Sequence, residues 1–179
     1  MKQLRNYISI RKGKSVISAT DDTIHQIVKD ELDHFGHGAD LNHIDVSEVT
    51  KMNNLFSVHK YDLGEKYKDL NPDISMWDVS NVKSMYCMFY DCKKFNCDIS
   101  QWDVSNVENM GNTFYNCTNF NCDISKWNVS NVTYMQFMFS GCKKFNKDLS
   151  RWDVSNIKNS FRIFLDCPIK EEFKPKFKK

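Results

Sequence analysis

Apolar residues return along this chain at a fixed interval. Ile74, Trp77, Val79 and Val82 are followed 25 residues later by Ile99, Trp102, Val104 and Val107, and 25 later again by Ile124, Trp127, Val129 and Val132. Trp102 and Val104 alternate with Gln101 and Asp103, which predicts a short strand with one buried face. Val107, Met110, Phe114 and Cys117 then recur at three and four residues, the spacing of one helical face. Ser105 stands where an N-cap belongs, and Glu108 completes a capping box. Asp91, Asn116, Gly141 and Asp166 mark the far end of each apolar run; their residue types tolerate the left-handed conformation that stops helices.

The copies DISMWDVSNV, DISQWDVSNV, DISKWNVSNV and DLSRWDVSNI place Trp77, Trp102, Trp127 and Trp152 in one register, and HIDVSEVTKMNNLF is an earlier, degenerate copy. A lone strand and helix cannot bury their apolar faces, whereas stacked copies can. The expected fold is therefore α/β: a right-handed leucine-rich-repeat-like solenoid with one short parallel strand plus one helix per coil. A flat antiparallel array competes, but the spacing from Val107 to Phe114 is helical. Residues 1–42 are expected to form an N-terminal cap, with two short strands about Gly13 and an amphipathic helix on Ile24, Ile27, Val28 and Leu32 that Gly36 ends and Thr20 caps. The solenoid, of about five coils, is assigned to residues 43–167 and a basic tail to 168–179.

The block consensus F-N-x-D-I-S-x-W-D-V-S-N-V-x-x-M-x-x-M-F-x-x-C resembles the BspA-like repeat of bacterial surface proteins and lipoproteins. The segment from Ile17 to Thr50 resembles leaders that precede such repeats in phage-encoded proteins. The repeat likeness implies a surface-exposed adhesion or interaction module, although the sequence carries no lipobox cysteine.

Composition narrows the picture. A net charge of +2 on 179 residues makes no case for nucleic acid, and the basic residues at the two ends read as solvated tails. No apolar run reaches the ~20 residues of a membrane-spanning helix, so no membrane insertion is expected. The opening MKQLRNYISIRKGKS has no apolar signal region, which favours a cytoplasmic or virion-associated place over Sec-dependent secretion.

Three residue sets carry candidate chemistry. Six of the seven cysteines follow the repeat register: Cys92, Cys117, Cys142 and Cys167 at one position, Cys97 and Cys122 at another. Free stacked thiols are the reading adopted, with disulfides or zinc as the alternatives. His34, His37 and His43 with Asp40 offer metal-ligand types, but a polar loop between the cap helix and the first coil is the reading adopted. The column Asp73, Asp98, Asp123 and Asp148 suits hydrogen bonds to turn amides, with calcium between coils as the sharper alternative. The column Asn71, Asn96, Asn121 and Asn146 reads as turn-amide satisfaction. No metal and no cofactor is assigned. Acids that recur in every coil do not make the single irregular constellation of an active site, so no enzyme is expected.

Positions that drift between repeats are candidates for recognition. On the expected sheet face these are Met76, Gln101, Lys126 and Arg151 beside Asp78, Asp103, Asn128 and Asp153. On the expected helix face they are Tyr86, Tyr90, Tyr115, Phe137 and Phe161, aromatic types that are enriched in interfaces. The expected function is a protein-binding module for a partner of unknown identity. A phage virion or other particle-assembly protein is the first alternative, and a carbohydrate-binding surface is the second.

Overall fold

A computed structural model of the chain describes residues 15–177. The expected right-handed, leucine-rich-repeat-like solenoid with a strand and a helix in every coil is not what the chain builds. Among the described residues the α-helix is Ile24–Phe35 (α1), and the paired strands are two residues each, Ile17–Ser18 (β1) and Ile44–Asp45 (β2). The repeats are built of tight turns. The N–H groups of Met88, Tyr90 and Cys92 donate three residues back, to the carbonyls of Met85, Cys87 and Phe89, at 3.0–3.1 Å. The amides between them point out of the coil: Met85, Cys87, Phe89 and Asp91 donate to Asn109, Gly111, Thr113 and Tyr115 of the next coil, at 2.9–3.0 Å. An α-helix would have bonded those same amides to carbonyls four residues back.

The misreading has a physical cause. Cys87 and Asp91 lie at φ 55° and 61°, Asn112 and Asn116 at 56° and 57°, and Phe137 and Gly141 at 55° and 76°. A left-handed residue at the third position of a β-turn is incompatible with a helical run. In the turns 110–113 and 114–117 that third position is Asn112 and Asn116. Successive turns bring a side chain back to the same side every three or four residues. Met110, Phe114 and Cys117 therefore all point inward, with helical spacing and no helix. The supposed capping box dissolves too. Ser105 N–H is held by Asp103 Oδ1 at 3.0 Å, and Glu108 N–H donates to Lys83 of the previous coil at 2.8 Å.

Stacking converts each repeat position into a column. Single parallel bridges join Lys51, Ser84, Asn109, Tyr134 and Asn159 from coil to coil. Phe56, Phe89, Phe114, Phe139 and Phe164 stack with centroids 5.4–5.8 Å apart. Each Trp indole N–H bonds the preceding coil: Trp102 to Ile74 O at 3.3 Å, Trp127 to Ile99 O at 3.2 Å and Trp152 to Ile124 O at 3.3 Å. The Asn side chains link to the following coil, with Asn71 Oδ1 accepting from Asn96 N–H and Asn96 Oδ1 from Asn121 N–H, both at 2.8 Å. The interior is thus aromatic, and its polar edges are closed by neighbours rather than by water.

The first coil is covered by α1, which buries Ile24, Val28 and Leu32. Thr23, not Thr20, occupies the N-cap position, and Gly36 ends the helix at φ 85° with its N–H on Leu32 O. Strand β1 pairs in parallel with β2, Ile17 opposite Ile44. Of the two strands expected about Gly13, within residues 7–18, the first lies outside the described residues and the second ends in β1, Ile17–Ser18. Asp21 fastens the helix start to the stack: its carboxylate accepts Thr50 N–H at 2.7 Å and Lys51 N–H at 3.0 Å. Asp33 fastens the other end, accepting from Lys29, Lys66 and the Tyr67 hydroxyl; these bonds hold its carboxyl well below the usual carboxylate range. Beyond the last coil the chain folds back, with Leu149 N–H on Phe173 O at 2.8 Å and Ile169 buried.

Because Phe114 lies between two stacked rings, Phe114→Ala should cost about 3–5 kcal/mol. The same truncation at the half-buried end ring Phe164 should cost at least ~1 kcal/mol less. Urea denaturation of both variants checks this; equal losses would show that the column does not stack as described.

Candidate functional site

The two drifting surfaces fare differently. In the first, Gln101, Lys126 and Arg151 are exposed, while Met76 is half-buried with its N–H on Asn42 Oδ1 at 2.8 Å. The adjacent acids have internal work. Asp78, Asp103, Asn128 and Asp153 accept the N–H of Ser80, Ser105, Ser130 and Ser155 at 3.0–3.2 Å. Only one acceptor oxygen is needed, which is why Asn128 can replace an Asp in this column. The column Asp73, Asp98, Asp123 and Asp148 makes the same bond to Ser75, Ser100, Ser125 and Ser150, at 2.9–3.1 Å.

The second surface comes together. Tyr90 and Tyr115 stack at 4.7 Å, Tyr115 meets Phe137 edge-on at 6.3 Å, and Phe137 meets Phe161 edge-on at 5.4 Å. These rings belong to four successive coils, so the strip crosses most of the stack. His59 extends it, 6.1 Å from Tyr90 and 5.3 Å from Tyr61, and the Arg162 guanidinium lies 4.9 Å over Phe161. Tyr86 is 37% exposed beside it, and Phe161 is 57% exposed. The five residues come from three repeat positions rather than one helix face. What joins them is the turn geometry, which sets Phe137 at a left-handed position next to the Tyr115 column.

At the head of the strip is an open cleft of about 330 Å³, lined by Asn54, Ser57, His59, Asp62, Tyr86, Cys87 and Tyr90. A neighbouring cleft of about 270 Å³ shares Asn54 and Asp62 and reaches His25, Lys29 and Tyr61. The segment from Ser57 to Leu63 lies where the chain leaves the degenerate first copy, before the regular repeats begin. Its signal was His59 and Tyr61 within five residues of Asp62 and Ser57, the latter pair bonded at 2.6 Å. Burial pushes the Cys87 thiol up to about 11, so it is a protonated neighbour of Tyr86 at neutral pH rather than a thiolate.

The other candidate chemistry does not converge. His43 is buried against Glu31 at 2.9 Å, His37 faces Tyr67 and His34 lies edge-on to Phe35. Among the described residues no group of three or more His, Cys, Asp or Glu is placed to hold a metal ion. The cysteines are free thiols. Cys92, Cys117 and Cys142 each point back one coil, Sγ to the carbonyls of Phe56, Phe89 and Phe114 at 2.9–3.0 Å, and burial raises all three pKa values strongly.

Fold and surface together define a repeat protein: turn-built coils with an aromatic interior, a helical cover at one end and an exposed aromatic strip along one side. The chain belongs to the family described as "Mycoplasma protein of unknown function, DUF285", which matches residues 26–115 and 61–176. No curated protein and no solved structure matches it. No helix among the described residues is long and apolar enough to cross a membrane.

Two predictions follow from the columns. Hydrogen bonds from Ser100 hold Asp98 below its ordinary value, and those from Ser125 and Ser150 do the same for Asp123 and Asp148. A depressed folded-state pKa contributes stability above the unfolded value of ~3.9, and that stability is lost as pH falls through the folded value. The urea midpoint should therefore fall as pH drops below ~4. Asp98→Asn, which keeps the acceptor, should flatten that fall, and an unchanged slope would refute the role given to Asp98. At pH 8, a thiol reagent should label the half-exposed Cys97 and Cys167 of the folded protein first. Cys92, Cys117 and Cys142 should react only on unfolding; prompt reaction of all seven would contradict their burial.

Proposed function

We propose that this chain is a non-enzymatic protein-interaction module that recognises its partner through the aromatic strip. The observation that carries this reading is the continuity of Tyr90, Tyr115, Phe137 and Phe161 across four coils, with Phe161 and Tyr86 open to solvent. Aromatic rings give large contact area at little cost in conformational entropy, and clustered rings with a flanking Arg are the common anchors of interfaces. Their packing on one another fixes them before a partner arrives, which lowers the ordering cost of binding. The resemblance of the repeat to BspA-like surface modules agrees with this reading.

A carbohydrate ligand is the second reading, favoured by the cleft in which Tyr86, Tyr90 and His59 stand beside the polar groups of Asn54, Ser57 and Asp62. Flat rings beside hydrogen-bonding side chains suit the two kinds of surface that a sugar presents.

A photo-crosslinking residue at Tyr115, compared with one at Gln101, separates these outcomes in extracts of the native source. The module reading expects crosslinks to one protein from position 115 and not from 101. For the captured partner, Tyr115→Ala should weaken binding at least ~10-fold, about 1.4 kcal/mol. Crosslinks from 101 alone would overturn the assignment of the strip. Glycan-array binding that Tyr86→Ala abolishes, with no protein crosslink, would transfer the function to the cleft.

A further inference from the structure

The stack has two unlike ends. At each junction four N–H groups of one coil donate forward to four carbonyls of the next: Met110, Asn112, Phe114 and Asn116 to Tyr134, Gln136, Met138 and Ser140, then Met135, Phe137, Phe139 and Gly141 to Asn159, Phe161, Ile163 and Leu165. Two bonds run the other way, with Lys158 N–H and Asn159 N–H sharing Thr133 O at 2.8 and 3.3 Å. In the last coil the equivalent donors are Ser160, Arg162, Phe164 and Asp166. Among the described residues their N–H groups have no acceptor, and Lys158 O has no donor. The returning tail bonds the coil at Leu149 and brings Phe173 and Phe177 against the core, with the Lys174 ammonium 6.0 Å from the Phe164 ring; none of its described residues accepts from this row. Phe164 is half-buried where the inner rings of its column are fully buried, and Leu165 and Phe161 are 43% and 57% exposed.

We propose that this open row is a docking site for an extended segment of another protein, acidic and apolar in alternation, which adds itself to the stack as a further rung. The backbone sets the template, a pair of adjacent amides for Lys158 O followed by four carbonyls for the row, as in strand addition to a sheet edge. The Phe164 face asks for an apolar or aromatic side chain at the spacing of the column. Charge sets the remainder. Residues 157–177 hold five basic side chains and three acidic ones. Asp166, Glu171 and Glu172 each already face a lysine, Lys143, Lys174 and Lys170. Lys158, Arg162 and Lys176 have no acidic partner among the described residues.

A second copy of the chain fits this edge poorly. Two such edges face to face bring donors against donors. The opposite end of a copy is covered by α1, and two of its four edge carbonyls are engaged, Asn53 O by His25 at 2.9 Å and Ser57 O by Leu63 N–H at 3.1 Å. The row adjoins the strip at Phe161 and Arg162 but is built on backbone donors, and its failure would leave Tyr90, Tyr115 and Phe137 of the strip untouched.

The test uses the full chain and a fluorescein-labelled synthetic peptide of about ten residues that alternates Glu with Val and Phe. Anisotropy should show saturable binding, lost when Lys replaces Glu in the peptide. Ser160→Pro removes one donor and no existing bond, and it should weaken binding about 5-fold. Arg162→Glu should weaken it about 10-fold. Residue-resolved hydrogen exchange on the wild-type protein should show the amides of Ser160, Arg162, Phe164 and Asp166 slowed at least 10-fold at saturating peptide. This arm stands even if Ser160→Pro fails to fold. No binding at millimolar peptide, or protection at Tyr90 and Tyr115 instead, would overturn the proposal. So would protection of the row by self-association of the chain without peptide.

Discussion

A coil made of tight turns can satisfy only half of its own backbone, and everything else in this protein answers to that constraint. Met88, Tyr90 and Cys92 close their bonds inside the coil, while Met85, Cys87, Phe89 and Asp91 must find acceptors one coil away. Unpaired buried amides cost roughly 1–3 kcal/mol each. A single coil of this kind is therefore not a folding unit, and the stack is the smallest arrangement in which the backbone is paired. Repetition in the sequence is the direct consequence: each coil must offer carbonyls where the previous coil places donors, so the same residues recur at the same positions.

The side chains reinforce the same axis. Trp102, Trp127 and Trp152 bond the preceding coil from inside, as Cys117 and Cys142 do through their thiols, and the Asn96 and Asn121 side chains accept from the following coil at the edge. The Phe column fills the centre with rings in register. Because nearly all of these bonds run along the stack, the flanks are left free to vary without disturbing the fold. Tyr115, Ser140 and Leu165 share one position with Tyr90, and Gly111, Gln136 and Phe161 share another with Tyr86. That freedom is where a recognition surface can be written onto a repeat protein. The axis also makes the ends chemically opposite, one covered by α1 and the other showing donors.

Much of this was legible in the residues, though not the secondary structure. The 25-residue register, the inward set Trp102, Val104, Val107, Met110 and Phe114, and the amide-binding role of Asp98 can all be read from types and spacing. Asp91, Asn116, Gly141 and Asp166 were recognisable as left-handed positions, and they are. They serve turns inside a coil, however, not the ends of helices. The second left-handed column defeats reading from residue type, because Cys87, Phe137 and Arg162 are types that seldom adopt positive φ. Without that column, an apolar spacing of three and four residues points to a helix. The clefts beside His59 and Asp62 were hidden for another reason: they lie where the repeat is interrupted, and periodicity says nothing about an interruption.

Residue-resolved hydrogen exchange of the intact protein tests the turn-and-ladder account most directly. Amides that donate across a junction, such as Phe114 and Phe139, should exchange slowly. Their counterparts in the last coil, Arg162 and Phe164, should exchange fast because they have no acceptor among the described residues. Equal protection of 135–141 and 160–166 would mean that each coil satisfies its own amides, as a helix does, and would contradict the account.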